Sequence, residues 1–387
     1  MFTRAKSTAK LPSMYSLSLV LLMVISQPQL AFLAPLKAAN AGAPATPSAR
    51  DGQHDFEFNL GVWHTHIRRV LDPLSGSPDS IELNGTVTVR KLWDGRAQLE
   101  EIEAEGPKGH WEGLTLFLYN PQSHQWSQSF LSSRMAALQP PLVGSFNAGR
   151  GELFAQDTFR DRSILVRSVW SDITPDSHHY EESYSEDGGR TWMPSFVAQL
   201  TRDRDKAADA SDIAAGAEPM SAEQEEHGFD FDFGTWKTHS SRLMHPLTGS
   251  TAWADLDGYT VVRRVWGGRA NLAEYKGDGT AGHVELLALR WFNPNTHEWN
   301  IDFATPNVGM LGIPGVGKCK NGRCEFYDQE QINGRYVLVR FSIWKISDDS
   351  AQSEQAFSDD GGKTWETNWI NKYTRVKPSE RSARSGT

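Results

Sequence analysis

Two cysteines in 387 residues are too few for a disulfide framework. No G-x-S-x-G segment occurs, and no other nucleophile with an oxyanion device stands out. Basic charge is in deficit, with 39 Lys and Arg against 48 Asp and Glu and a formal net charge of −9. That argues against nucleic acid, whose phosphates need Lys and Arg to neutralise them. Helical periodicity is missing as well, since no segment holds a 3.6-residue apolar period for three turns. The chain is rich in aromatic residues, with 18 Phe and 14 Trp, enough to build a core and to exclude wholesale disorder.

The N-terminus carries Arg4, Lys6 and Lys10, then a short apolar run from Leu17 to Ile25, then Ala39-Asn40-Ala41. This order predicts a signal peptide over residues 1–41 and a periplasmic or secreted product. An uncleaved anchor is the alternative, and only then would the chain contact a membrane. Cleavage removes four basic residues and no acid, taking the charge from −9 to −13. Cys319 and Cys324 flank an Asn321-Gly322 turn signal, which predicts a local disulfide in an exported chain.

The remainder is written twice. Gly61-Val62-Trp63 returns as Gly234-Thr235-Trp236, and Trp93-Asp94-Gly95-Arg96-Ala97 returns as Trp266-Gly267-Gly268-Arg269-Ala270, each 173 residues on. Asn120-Pro121 and Asn293-Pro294 keep the same spacing. A period this long means two whole domains, over 55–202 and 228–375. The expected flanks are a disordered segment at 42–54, an Ala- and acid-rich linker at 203–227 and a disordered tail at 376–387. Within each copy, short runs alternate apolar and polar residues between Gly- and Asn-rich turns, which predicts an all-β fold. The options are a sandwich or an antiparallel up-and-down barrel.

Each copy opens on an aromatic segment entering G-x-W (Phe56 to Trp63, Phe229 to Trp236) and ends on Thr-Arg (Arg202, Arg375). This resembles the first-strand signature of lipocalins and the wider calycin group. The resemblance implies two tandem antiparallel up-and-down barrels. In each, the Trp closes one end beneath an Arg from the last strand. Ser185 to Trp192 and Ser358 to Trp365 fit the Asp-box, with Asp187, Trp192, Asp360 and Trp365 as structural residues of a hairpin turn. One box per copy is too sparse for a propeller. Taken together, the copies resemble an uncharacterised bacterial family of exported lipocalin-like domains with a G-x-W start and an S-x-D-G-G-K-T-W end. The resemblance implies a small hydrophobic or amphipathic ligand and no established activity.

In a barrel, alternate residues face the lumen. Strand parity places Arg69, Glu101, His110, Glu112 and Arg167 on apolar faces of the first copy. Arg242, Glu274, His283, Glu285 and Arg340 match them in the second. These ten are the candidate ligand-binding residues. Their charges either pair inside the barrel or form a polar floor for an amphipathic ligand. The His110/Glu112 and His283/Glu285 faces admit an acid–base enzyme as the alternative. A filled barrel serving as a carbohydrate or protein interaction module is a third reading, with Trp253 and Trp369 as surface candidates. A lumen of about 300 Å³ or more lined by Arg69 or Glu112 is expected of a binding barrel. No cofactor and no metal are expected. His64 and His66 are spaced for one ion, but Lys237 and His239 replace them in the second copy, and His178-His179 reads as a loop pair. The glycine-rich run from Gly309 to Gly317 is expected to be a mobile lid at a barrel mouth.

Overall fold

A computed structural model describes residues 51–206 and 225–377, apart from Ala281 and Asn333. The expected signal peptide, most of the linker and the tail lie outside these residues. The described chain is all-β, in two closed ten-stranded antiparallel up-and-down barrels. In the first, β1 (Gly61–Val70), β2 (Ser80–Leu92), β3 (Ala97–Gly106), β4 (Gly109–Asn120) and β5 (Gln125–Ser132) are followed by β6 (Leu142–Asn147) and β7 (Arg150–Phe159). Then come β8 (Arg162–Ser171), β9 (Ser177–Ser185) and β10 (Met193–Arg202), which pairs with β1 to close the ring. The second barrel repeats this with β11 (Gly234–Leu243), β12 (Trp253–Val265), β13 (Ala270–Gly279), β14 (Gly282–Asn293) and β15 (Glu298–Ala304). It continues through β16 (Gly315–Lys320), β17 (Arg323–Ile332), β18 (Arg335–Ser347), β19 (Ser350–Ser358) and β20 (Glu366–Arg375), and β11 pairs with β20. Closure leaves no sheet edge exposed.

One pole of each barrel is sealed in the same way. Trp63 lies opposite Arg202 in the β1–β10 register, and the guanidinium stands 3.9 Å from the ring centroid. Arg375 covers Trp236 at 4.0 Å. Each contact contributes on the order of 0.5–2 kcal/mol. The same guanidinium donates to the carbonyl oxygens of Phe58 and Leu60, and Trp63 Nε1 donates to the Asn59 carbonyl. Glycine is required at the first position of G-x-W. Gly61 has φ +119°, and a Cβ there would lie 2.6 Å from Arg202 Nη1. The Asp187 carboxylate accepts from the amides of Arg190 and Thr191 and from both neighbouring hydroxyls, holding the turn between β9 and β10. Asp360 does the same before β20. The Cys319–Cys324 disulfide is formed, across the paired strands β16 and β17.

The barrels do not stand apart. Leu99, Leu114 and Leu116 point outward from β3 and β4 and pack in one buried cluster with Leu272, Leu287 and Leu289 of the second barrel. The contact is reciprocal. Arg96 pairs with Glu285 at 2.6 Å and Arg269 with Glu112 at 2.6 Å, each pair being the other's repeat image. Trp291 Nε1 donates to the Ala136 carbonyl, and Ser127 Oγ donates to the carbonyl of Gly309, which is Ala136's counterpart. This corrects the expected lid. Leu311 is buried in the junction, and a Cβ on Gly309 would lie 2.5 Å from the Tyr119 carbonyl oxygen. The start of the glycine-rich segment, at Gly309 and Leu311, is packed against the first barrel, while Ile313 stands exposed.

Candidate functional site

Inward-facing residues of the first barrel leave a cavity of about 200 Å³. Thr65 and Ile67 enter it from β1, Ile102 from β3, Trp111 from β4, Phe130 from β5, Trp170 from β8, and Phe196 and Ala198 from β10. Arg69, Leu71, Lys108 and Phe159 rim the open end. Beneath the floor, Trp63 and His178 close the far pole with ring centroids 4.4 Å apart. His178 is fully buried with no partner on either ring nitrogen, and burial, reinforced by Arg202, holds its pKa down to about 3. It lies on β9 beside Trp170, which corrects its reading as a loop residue.

Two carboxyl groups stand in this aromatic lumen. Glu100 is 5% exposed and accepts from Thr115 Oγ1 at 2.8 Å and Asn59 Nδ2 at 3.2 Å. Burial pushes its pKa up, and among the described residues no cation is placed to pair with it. Glu182, on β9, accepts from Ser195 Oγ at 2.9 Å and is also raised by burial, with Arg69 opposing the shift. Thr65 Oγ1 and Trp170 Nε1 are buried in the wall with no hydrogen-bond partner. The lumen therefore offers apolar area, two acids and unsatisfied polar atoms, the features of a pocket that orients a ligand.

The second barrel is furnished differently. Asp232, 2% exposed, pairs with Arg290 at 2.5 Å, and Arg290 also reaches Asn271. Ser240 Oγ lies 3.0 Å from the Tyr275 hydroxyl and donates to Asn371, Asn371 donates to Ser353, and Ser353 bonds Tyr373. These side chains occupy lumen positions that Ile67, Ile102, Ala198, Tyr180 and Leu200 hold in the first copy. Its described cleft, near 410 Å³, lies at the mouth between Arg242, Met244, Ile332 and Trp369.

Of the ten candidate ligand residues, Arg69 and Arg242 lie at barrel mouths, and Arg242 sits over the Trp369 ring at 5.2 Å. The inward placement of the other eight is corrected. Glu101 and Glu274 pair with Arg90 and Arg263 on the outer wall. Glu112 and Glu285 make the junction ion pairs. His110 and His283 are exposed beside Glu105 and Asp278, both at 2.8 Å. Arg167 and Arg340 cover Trp192 and Trp365 at the Asp-box turns, at 4.6 and 4.8 Å. For the six on β3, β4, β13 and β14 the physical reason is the junction. Where the barrels meet, these strands are buried on both faces, because one lines a lumen and the other is covered by the opposite barrel. The leucine face looked like the inside, so parity was taken with the wrong sign. Glu100, adjacent to Glu101, was missed for the same reason. Phe117 and Trp111, alternating with the leucines, are the sequence signal that could have found it.

Among the described residues, no group of three or more His, Cys, Asp or Glu is placed to hold a metal ion. His64 instead meets Asp203 at 3.3 Å, and His66 meets Glu82 and Asn84.

No family model matches the chain, and no curated protein matches it. Among solved structures it is similar to an S-type phycobiliprotein lyase, CPES, from Guillardia theta. That match has 14% identity over 38% of this chain and 90% of that one, with a TM-score of 0.28. A protein with unknown function from the DUF3598 family of Nostoc punctiforme is also similar, with 11% identity over 84% of this chain and 99% of that one and a TM-score of 0.23.

Proposed function

We propose that the chain is an exported two-barrel binding protein whose first barrel holds one small amphipathic molecule in its lumen, while the second barrel's lumen is filled by its own polar side chains and opens at its mouth. The cavity of about 200 Å³ between Trp111, Trp170 and Phe196 carries this reading. It is smaller than the ~300–1,000 Å³ pockets that take drug-sized ligands, so the occupant is a single ring or a short chain with a polar head. Export is supported by the charged, apolar and A-x-A order of residues 1–41 and by a disulfide, which persists in oxidising compartments. The His–Glu pairs of the enzyme alternative lie outside the lumen, with both glutamates committed to arginines.

Native mass spectrometry of the protein purified from its own host tests the proposal. The expected result is one small molecule per chain, lost when Ala198→Trp fills the first lumen. A mass equal to that of the bare polypeptide, together with no uptake from a small-molecule mixture, would overturn it.

A further inference from the structure

We infer that the occupant of the first barrel carries a protonated amine, which sits against Glu100 as Arg290 sits against Asp232 in the second barrel. This rests on the binding role proposed above and names the class of ligand. The argument comes from comparing the two copies of one domain. In the second barrel, the acid at the closed pole has a cation of its own, Arg290, at 2.5 Å and 4% exposed. At the repeat positions of that pair, the first barrel has Asn59 in place of Asp232 and Phe117 in place of Arg290. Its acid has moved to Glu100, whose own counterpart is Ala273. The first barrel thus keeps a buried carboxyl group at its floor and has lost the internal guanidinium.

A buried carboxylate without a cation is costly, and a partner from outside removes that cost. Glu100 opens onto the cavity, whereas the Arg290 pair is sealed by its own packing. Two more observations point to a ligand at this spot. Thr65 and Trp170 line the same cavity, and the partnerless Thr65 Oγ1 can accept from an ammonium, while the partnerless Trp170 Nε1, a donor only, asks for an acceptor elsewhere on the ligand. Trp111, Trp170 and Tyr180 line the wall, and their ring faces attract a cation as the carboxylate does. Glu182 stands on β9, four strands around the ring from β3. It places a second acid in the cavity lining, and the positive charge of Arg69 favours its ionised form.

The test is calorimetric titration of the full chain with phenethylamine, 2-phenylethanol and 3-phenylpropionate, which share an aromatic body and differ in the head. The amine is expected to bind at least about tenfold more tightly than the alcohol, with the carboxylate weakest. Glu100→Gln keeps the shape and the acceptor oxygen for Thr115, while its amide nitrogen meets the Asn59 side chain, whose amide can turn its oxygen to accept. It is expected to bring amine and alcohol within about twofold while alcohol binding persists. Glu182→Gln, folded by the same criterion, is expected to retain the amine preference. Equal affinity of amine and alcohol in the unaltered chain would overturn the inference and leave the binding role standing. So would an amine preference that survives Glu100→Gln. Absence of binding by all three compounds would overturn both.

Discussion

At the scale of single residues, the closed pole of the first barrel holds one imidazole in a setting that disfavours its charge. His178 is packed edge-on against Trp63 and Phe58, with neither nitrogen bonded. Its folded pKa of about 3 lies below the unfolded value of about 6.5. Between those values the unfolded chain binds a proton that the folded chain refuses. Its contribution is therefore whole above pH 6.5 and is lost as the pH falls toward 3. His178→Leu removes this term and two unpaired buried nitrogens. Denaturant titrations from pH 7 to pH 4 are expected to show the variant gaining on the native chain by on the order of 3 kcal/mol. Parallel pH profiles for the two proteins would contradict this. The repeat position holds Ala351, so the penalty belongs to the first barrel alone.

At the scale of elements, the Asp-box and the G-x-W opening were legible because each is local. Asp187 sees only the residues up to Thr191, and its pKa is drawn down to about 2 by the donors it gathers. Asp187→Ala is expected to speed amide hydrogen exchange at Arg190 and Thr191 while leaving β1 and β3 protected. Unchanged exchange at those two amides would show that the turn holds without its carboxylate. The strands were legible too, from period-two alternation and turn chemistry. What could not be read was which face of β3 and β4 looks inward. Alternation gives two faces without labelling them, and here Leu114 and Leu116 on one are as buried as Phe117 on the other. The label depends on a contact made 173 residues away. That long-range fact moved six of the ten candidate residues out of the lumen and hid Glu100 within it, while Arg167 and Arg340 lie outside because they cover the Asp-box tryptophans. The start of the glycine-rich segment was misread for the same long-range reason, since its close approach is to the other barrel.

At the scale of the whole molecule, duplication has produced a joint and two differently furnished interiors. The joint has the self-complementary form of a two-fold interface, in which a contact from one copy recurs with the roles exchanged. Arg96–Glu285 and Arg269–Glu112 are such a pair of contacts. The first barrel by itself, residues 51–206, would leave its leucine face uncovered and is expected to form a homodimer. In that dimer Arg96 of each copy would meet Glu112 of the other. Sedimentation equilibrium checks this, with Leu116→Arg expected to return the dimer to monomer. A monomeric native fragment would mean that the joint depends on differences between the copies. The division proposed between the barrels rests on their interiors. Ser240, Tyr275, Asn371 and Tyr373 knit the second lumen, where Ile67, Ile102, Ala198 and Leu200 leave the first one open.

The stoichiometry of binding tests that division most directly. Titration of the full chain with phenethylamine is expected to saturate at one equivalent, to vanish in Ala198→Trp, and to persist when the second barrel is altered by Asn371→Ala. Two equivalents per chain, or one equivalent that survives Ala198→Trp, would contradict it.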